Sequence, residues 1–92
     1  MSVPVTVRIP TQLRSLAGGA AEVAVDGATV GEALRALDAA HPGFEERLFD
    51  NGTLRRFVNV FVADEDIRYL DGVATPLPDG TVVSIVPAVA GG

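Results

Sequence analysis

One well-marked helix divides this chain into two groups of strand-like segments, and that order restricts the possible folds more than any other feature. Thr29 stands three residues before Glu32. This is the spacing of a capping box, in which a hydroxyl and a carboxylate each accept from a free N–H at a helix start. Side chains then recur at helical spacing, at Val30, Leu34, Leu37 and His41. Pro42-Gly43 ends the helix, so its apolar stripe must be covered by a sheet within the same 92-residue domain.

Alternating apolar residues predict strands on both sides of this helix. Residues 3–9 and 21–25 alternate before it, with a turn at Gly18-Gly19, and predict an antiparallel hairpin. After the helix, we expect a short helical turn at residues 44–49 and a loop at residues 50–52. The later strands are predicted at residues 57–62, 67–69 and 81–86. The order ββαβββ indicates an α+β fold, the β-grasp roll, with a mixed sheet of four to five strands packed on one main helix.

The composition of the chain excludes several kinds of site and partner. The chain has no cysteine, which excludes disulfides, thiolate metal sites and cysteine nucleophiles. Its net charge of −5 argues against nucleic acid or an anionic membrane as a partner. Neither a signal peptide nor a membrane helix is indicated, so we expect a cytoplasmic protein. All seven basic residues are arginine. A GC-rich genome that favours arginine codons explains this; the alternative is functional, since the chain then has no side-chain amine that could attack an activated carboxyl group.

The last residues form the most informative segment. We predict that residues 1–87 form the folded domain and that residues 88–92 form a flexible carrier tail, because Pro87 lacks the N–H that continued strand pairing needs. Five extended residues span roughly 16 Å, and glycine has no side chain to obstruct a narrow channel. Gly91-Gly92 can therefore present an unhindered carboxylate to a partner enzyme. The alternative is that these two glycines are an end without a role.

Three stretches resemble the ubiquitin-like sulfur carrier family of MoaD and ThiS. They are residues 57–62 (FVNVFV), residues 64–68 (DEDIR) and residues 79–92 (DGTVVSIVPAVAGG). The RFVN start at residues 56–59 and the AVAGG ending at residues 88–92 are similar to the CysO-type carriers of actinobacteria. The resemblance covers essentially the whole chain, and its last stretch is the specific part.

This resemblance implies a protein substrate and sulfur donor rather than an enzyme. It implies that an E1-like enzyme uses ATP to adenylate Gly92, that a sulfur source converts it to a thiocarboxylate, and that Gly91 accompanies it into partner sites. The chain itself would bind no cofactor. A cysteine synthase would accept the sulfur and a JAMM-type metalloprotease would release cysteine. The alternatives are the small subunit of molybdopterin synthase, a carrier for a sulfur-containing natural product, a protein modifier and a plain interaction module.

Strand parity predicts a docking face. Adjacent strand residues point to opposite sides, so the polar Asn59 and Ser84 mark the outer face of the two longest late strands. Phe57, Phe61 and Val86 then share that face, and exposed aromatic patches mark partner sites. We expect the partner to contact this patch together with Ala88, Val89, Ala90 and Gly91. The alternatives are that the segment at residues 44–49 covers the two phenylalanines or that the parity is inverted.

Other polar residues carry weaker signals. His41 is the sole histidine and has no second ligand at metal-binding spacing, so we predict no metal site. We expect it at the C-terminal end of the helix, where its side chain interacts with the helix dipole. Asp64-Glu65-Asp66 could bind a cation or a basic partner but is more typical of a solvated turn. The Arg55-Arg56 pair is interpreted as a solvated loop.

Overall fold

The computed structural model describes residues 4–55 and 58–87 of the chain. The first strand, β1, runs from Val5–Arg8 and the second, β2, from Glu22–Val25. They pair antiparallel, with Val5 opposite Val25, so the predicted hairpin is confirmed. The connection between these strands is not a simple turn. It contains a 3₁₀ helix at Thr11–Ala17, which ends at Gly18 in the left-handed region.

The main helix, α1, spans Val30–Ala40 and is capped as predicted. The Thr29 hydroxyl accepts from the Glu32 N–H at 3.3 Å, and the Glu32 carboxylate accepts from the Ala28 N–H at 3.2 Å. Val30, Ala33, Leu34 and Leu37 are its buried residues. The carboxylate of Asp38 then starts the next helix, α2 at Phe44–Leu48, by accepting from the N–H groups of Gly43 and Glu45.

A small hairpin replaces the loop predicted at residues 50–52. Strands β3 (Phe49–Asp50) and β4 (Thr53–Leu54) pair antiparallel around Asn51-Gly52. Asn51 has φ 53° and Gly52 has φ 79°. Two successive positive φ values are typical of the tight hairpin turn that an Asn-Gly pair favours, which is why so short an element forms here.

The later part of the chain supplies three more strands: β5 at Val58–Val62, β6 at Glu65–Asp66 and β7 at Val82–Pro87. The strand predicted at residues 67–69 is wrong. Ile67–Tyr69 forms a 3₁₀ turn because the Asp66 carboxylate accepts from the Arg68 N–H and caps it. A second 3₁₀ turn follows at Gly72–Ala74.

The main sheet has five strands in the order β2-β1-β7-β5-β6. It is mixed, because β1 and β7 run parallel whereas the other neighbours are antiparallel. One face packs on the helices and forms the core, whose fully buried members include Val7, Leu37, Phe44, Val60 and Val83. The predicted β-grasp fold is confirmed. On the opposite face of the sheet, the outer face, exposed residues of the described part of the chain include Arg8, Ala24 and Val86.

Candidate functional site

The last strand ends in the middle of the sheet. β7 is flanked by β1 on one side and by β5 on the other, and its final residue, Pro87, lies opposite Val58. Whatever follows Pro87 must therefore leave from this position. The predicted tail, Ala88 to Gly92, lies outside the described residues, as do Phe57, Arg56 and Val3.

Side chains on β5 and β7 point in the directions that parity predicted. Val58, Val60 and Val62 are buried on the core side of β5, and so are Val83 and Ile85 on β7. On the outer face, Val86 is 45% exposed and Asn59 lies directly opposite it. Phe61 is half-buried and lies opposite Ser84. The inverted parity is thus excluded for the described residues.

Phe61 and Val86 form the apolar centre of this outer face. They occupy diagonal positions on paired strands, since Phe61 faces Ser84 while Val86 faces Asn59. Diagonal neighbours on one sheet face are within reach of an aromatic ring. We call these two residues the docking patch. It lies close to the end of β7, so a protein that gripped the following residues would also meet this patch.

A hydrogen-bonded cluster borders the docking patch at the β5–β6 edge. The Arg68 guanidinium donates to Asp66 through Nε at 3.2 Å and through Nη2 at 2.7 Å. The same Nη2 donates to Asn59 Oδ1 at 2.6 Å. Asp66 lies opposite Phe61 in the β5–β6 pairing. Strand pairing therefore brings the apolar patch and this cluster onto one surface.

Asp66 is the buried member of that cluster, which corrects its interpretation as part of a solvated turn. Its side chain is only 9% exposed, whereas Asp64 and Glu65 are exposed. The hydrogen bonds from the Arg68 side chain and then from the Arg68 N–H hold the pKa of this carboxyl below its usual value. The same contact raises the pKa of Arg68. The sequence offered a signal for the cap alone, because an Asp at a strand end can accept from the backbone N–H two residues later.

The remaining candidate residues lie away from this face. His41 is the C-cap of α1, and its N–H donates to the Leu37 carbonyl at 2.8 Å. Arg55 is anchored rather than loose, because its guanidinium donates to the Glu46 carbonyl at 3.0 and 3.2 Å. Within residues 4–55 and 58–87, no group of three or more His, Asp or Glu side chains is arranged to hold a metal ion.

In the part of the chain that the structure describes, a mixed sheet of five strands packs by one face on a capped helix, which defines the chain as a ubiquitin-like β-grasp protein. None of the described helices has the length and apolar character that crossing a bilayer requires. The chain belongs to the ThiS family, whose sequence profile matches residues 7–92.

Known proteins of similar sequence and structure refine this assignment. The chain is 50% identical over 91 residues to the sulfur carrier protein CysO of Mycobacterium tuberculosis, covering 96% of this chain and 98% of that protein. A crystal structure of M. tuberculosis CysO matches with a TM-score of 0.88, at 48% identity and covering 92% of this chain and 99% of that one. The chain is therefore a CysO-like member of the ThiS family.

Two further similarities bear on possible partners. A chain in the crystal structure of the Amycolatopsis orientalis BexX/CysO complex matches with a TM-score of 0.91 and 45% identity, over 96% of this chain and 99% of that chain. Small archaeal modifier protein 3 of Haloferax volcanii is 46% identical over 67 residues, which is 73% of each chain.

Proposed function

We propose that this protein is a sulfur carrier whose Gly92 is adenylated by an E1-like enzyme, converted to a thiocarboxylate and used as a sulfur donor in cysteine biosynthesis. The observation that carries the proposal is the 50% identity to a protein named as a sulfur carrier, over 98% of that protein's length. The family match also runs through Gly91 and Gly92, so the residues that would do the chemistry belong to the matched region.

The proposed chemistry takes place on the Gly92 carboxyl carbon, in the active sites of partner enzymes. A carboxylate oxygen attacks the α-phosphorus of ATP, pyrophosphate leaves, and an acyl-adenylate forms. A sulfide-level nucleophile then attacks the acyl carbon; the C–O bond to AMP breaks, AMP leaves, and the nucleophile's proton goes to solvent. ATP belongs to the activating enzyme, and the carrier supplies only the reacting carboxyl group.

The fold supports the physical separation that this chemistry needs. β7 ends at Pro87, and five residues can span roughly 16 Å when extended. We propose that Ala88, Val89, Ala90 and Gly91 occupy the partner's channel while the docking patch contacts the rim. Phe57 shares the outer face with Phe61 by strand parity, and it enters the proposal on that basis alone.

We propose a cysteine synthase as the sulfur-accepting partner and a JAMM-type metalloprotease as the enzyme that releases the product. The name of the CysO relative supports this destination. The BexX/CysO complex supports the more general point that carriers of this type bind a second protein.

Intact mass spectrometry of the protein purified from its native host tests the carrier role. We expect a population heavier than the sequence mass by the difference between one sulfur and one oxygen. The matched control is the same chain without Gly92, which keeps the folded domain and should show no heavier population. A wild-type chain that never gains this mass, in cells whose activating enzyme is expressed, would contradict the proposal.

A second candidate function is protein modification through an amide bond from Gly92 to target lysines. The similarity to a small archaeal modifier protein favours it. Denaturing gels distinguish the two functions. A protein modifier forms amide-linked conjugates, which run as ladders that survive reducing agent, whereas a sulfur carrier runs as the free chain. The chain has no lysine of its own, so any ladder would consist of modified targets and not of lysine-linked copies of this protein.

A further inference from the structure

Arg68 is an exposed cation whose guanidinium is held by neighbouring side chains, on a protein with a net charge of −5. Its guanidinium is held by Asp66 and by Asn59 at distances of 2.6–3.2 Å, although 63% of its side chain is exposed. Ordering a long exposed side chain has an entropic cost. In this protein the contacts to Asp66 and Asn59 order the Arg68 side chain when the domain folds. A partner then binds a guanidinium that is already fixed in position.

Arg8 provides the comparison. It lies on the same outer face, opposite Ser84 on β7, and its side chain is also 63% exposed. Its ion pair with Glu22 is a 3.3 Å contact to a side chain that is itself 56% exposed. The two arginines thus share charge, exposure and sheet face, but only Arg68 is held by a buried carboxylate.

The position of Arg68 relates it to the end of β7. Its Nη2 group contacts Asn59, and Asn59 lies opposite Val86, the residue before Pro87. Among the described residues, every side-chain hydrogen bond of Arg68 is made through Nε or Nη2. Within residues 4–55 and 58–87, the two N–H groups of Nη1 have no acceptor, and they lie at the level of the last residues of β7.

We propose that Arg68 determines partner specificity by binding a carboxylate of the activating enzyme next to the docking patch. This inference rests on the proposed carrier function. A guanidinium carries five N–H donors, and the three on Nε and Nη2 are used by Asp66 and Asn59. The partner's carboxylate therefore accepts a charge-assisted hydrogen bond from Nη1.

The charges of this protein indicate which side chain the activating enzyme places next to Arg68. The whole chain carries a net charge of −5, which favours a basic enzyme surface around most of the interface. At Arg68 the preference is reversed, because a lysine or arginine placed there would meet a fixed cation. A basic surface interrupted by one carboxylate beside an apolar contact fits this face, and a uniformly basic surface is rejected.

The test is ATP–pyrophosphate exchange catalysed by the E1-like enzyme from the same genome, with the full-length chain as its protein substrate. We expect Arg68→Gln to raise KM for the carrier about tenfold and to leave kcat unchanged, because the reacting glycine is not altered. Arg8→Gln is the matched control and should stay within twofold of wild type. Arg68→Lys should retain most of the defect, because the shorter, three-donor ammonium does not keep the paired contact to Asp66 that fixes the cation.

The outcomes separate this inference from the proposed function. Equal KM values for Arg68→Gln and Arg8→Gln, or a loss confined to kcat, would overturn the role of Arg68 while leaving the carrier function intact. No exchange with the wild-type chain would overturn the carrier function and this inference with it. If Arg68→Gln lowers the unfolding temperature, Arg68→Lys decides: a raised KM supports the proposal and a wild-type KM refutes it.

Discussion

The carboxyl group of Asp66 connects local structure to acid stability. Its pKa lies below the ordinary value of 3.8 because the Arg68 side chain and the Arg68 N–H both donate to it. A carboxyl whose pKa is depressed by folding stabilises the native state at pH values above its unfolded pKa. That contribution is lost as the pH falls through 3.8 and down to the folded value.

We therefore predict that Asp66→Asn removes part of the acid dependence of stability. In urea unfolding between pH 7 and pH 2, the free energy of unfolding of wild type should exceed that of the variant above about pH 4, and the difference should shrink below it. The double variant Asp66→Asn, Arg68→Gln controls for the pair. A wild-type advantage that stayed constant down to pH 2 would contradict the assignment.

Single residues also show what a sequence can reveal about a site. Asn59 and Ser84 marked the outer face correctly, because a polar side chain inside an apolar strand identifies the side that is not buried. The burial of Asp66 escaped prediction. Its ion pair depends on a turn that folds Arg68 back over β5 toward Asn59, nine residues earlier in the chain, and no periodicity records such a contact.

At the scale of elements, the longer strands and the main helix were predicted from the sequence, and the elements of two or three residues were not. The strands β1, β5 and β7 and the helix α1 run for four to eleven residues, long enough for a period of 2 or 3.6 to repeat. The two-residue strands β3, β4 and β6 and the two short 3₁₀ turns are too brief for that. They owe their form to turn geometry and to capping by side chains.

The junction between β2 and α1 offers a prediction about packing. A β-carbon on Gly27 would lie 2.6 Å from the Ala33 nitrogen and 2.8 Å from its Cα. Both atoms belong to helix backbone, which cannot move aside cheaply. Gly27→Ala should therefore lower the free energy of unfolding by about 1–3 kcal/mol, the usual range for overpacking, as measured by urea denaturation.

Gly72→Ala is the comparison for this junction. A β-carbon there has open space within 4 Å, and only its φ of +58° opposes a side chain, at a cost of about 1 kcal/mol. Amide chemical shifts should distinguish the two variants, with changes around Ala33 in Gly27→Ala alone. An unaltered unfolding midpoint for Gly27→Ala would show that the junction tolerates the added atom.

At the scale of the whole molecule, the two faces of the sheet differ in burial. The core side holds the fold together, and the outer face is the side that we propose to contact a partner protein. We predict that Phe61→Asp preserves the circular dichroism spectrum of the folded domain but reduces adenylation by the activating enzyme at least tenfold, because it adds a charge to the apolar centre of the docking patch.

Ala24→Asp is the matched control for this variant. Ala24 is exposed on the edge strand β2, and its partner in the pairing is Thr6 on the outer face. The substitution places the same charge on the same side of the sheet, three strand positions from β5. Its adenylation rate should match wild type. Similar losses in both variants would indicate a general electrostatic effect and not a docking patch.

The parallel pairing of β1 with β7 gives the domain a mechanical property as well. The first and last long strands lie side by side and point the same way, so a force that pulls the two ends of the domain apart slides these strands along each other. Their hydrogen bonds are then strained together and cannot open one at a time from an end. A pull on whatever follows Pro87, with the start of β1 held, therefore loads all of these hydrogen bonds at once, and the domain resists it better than a pairing that opens from one end.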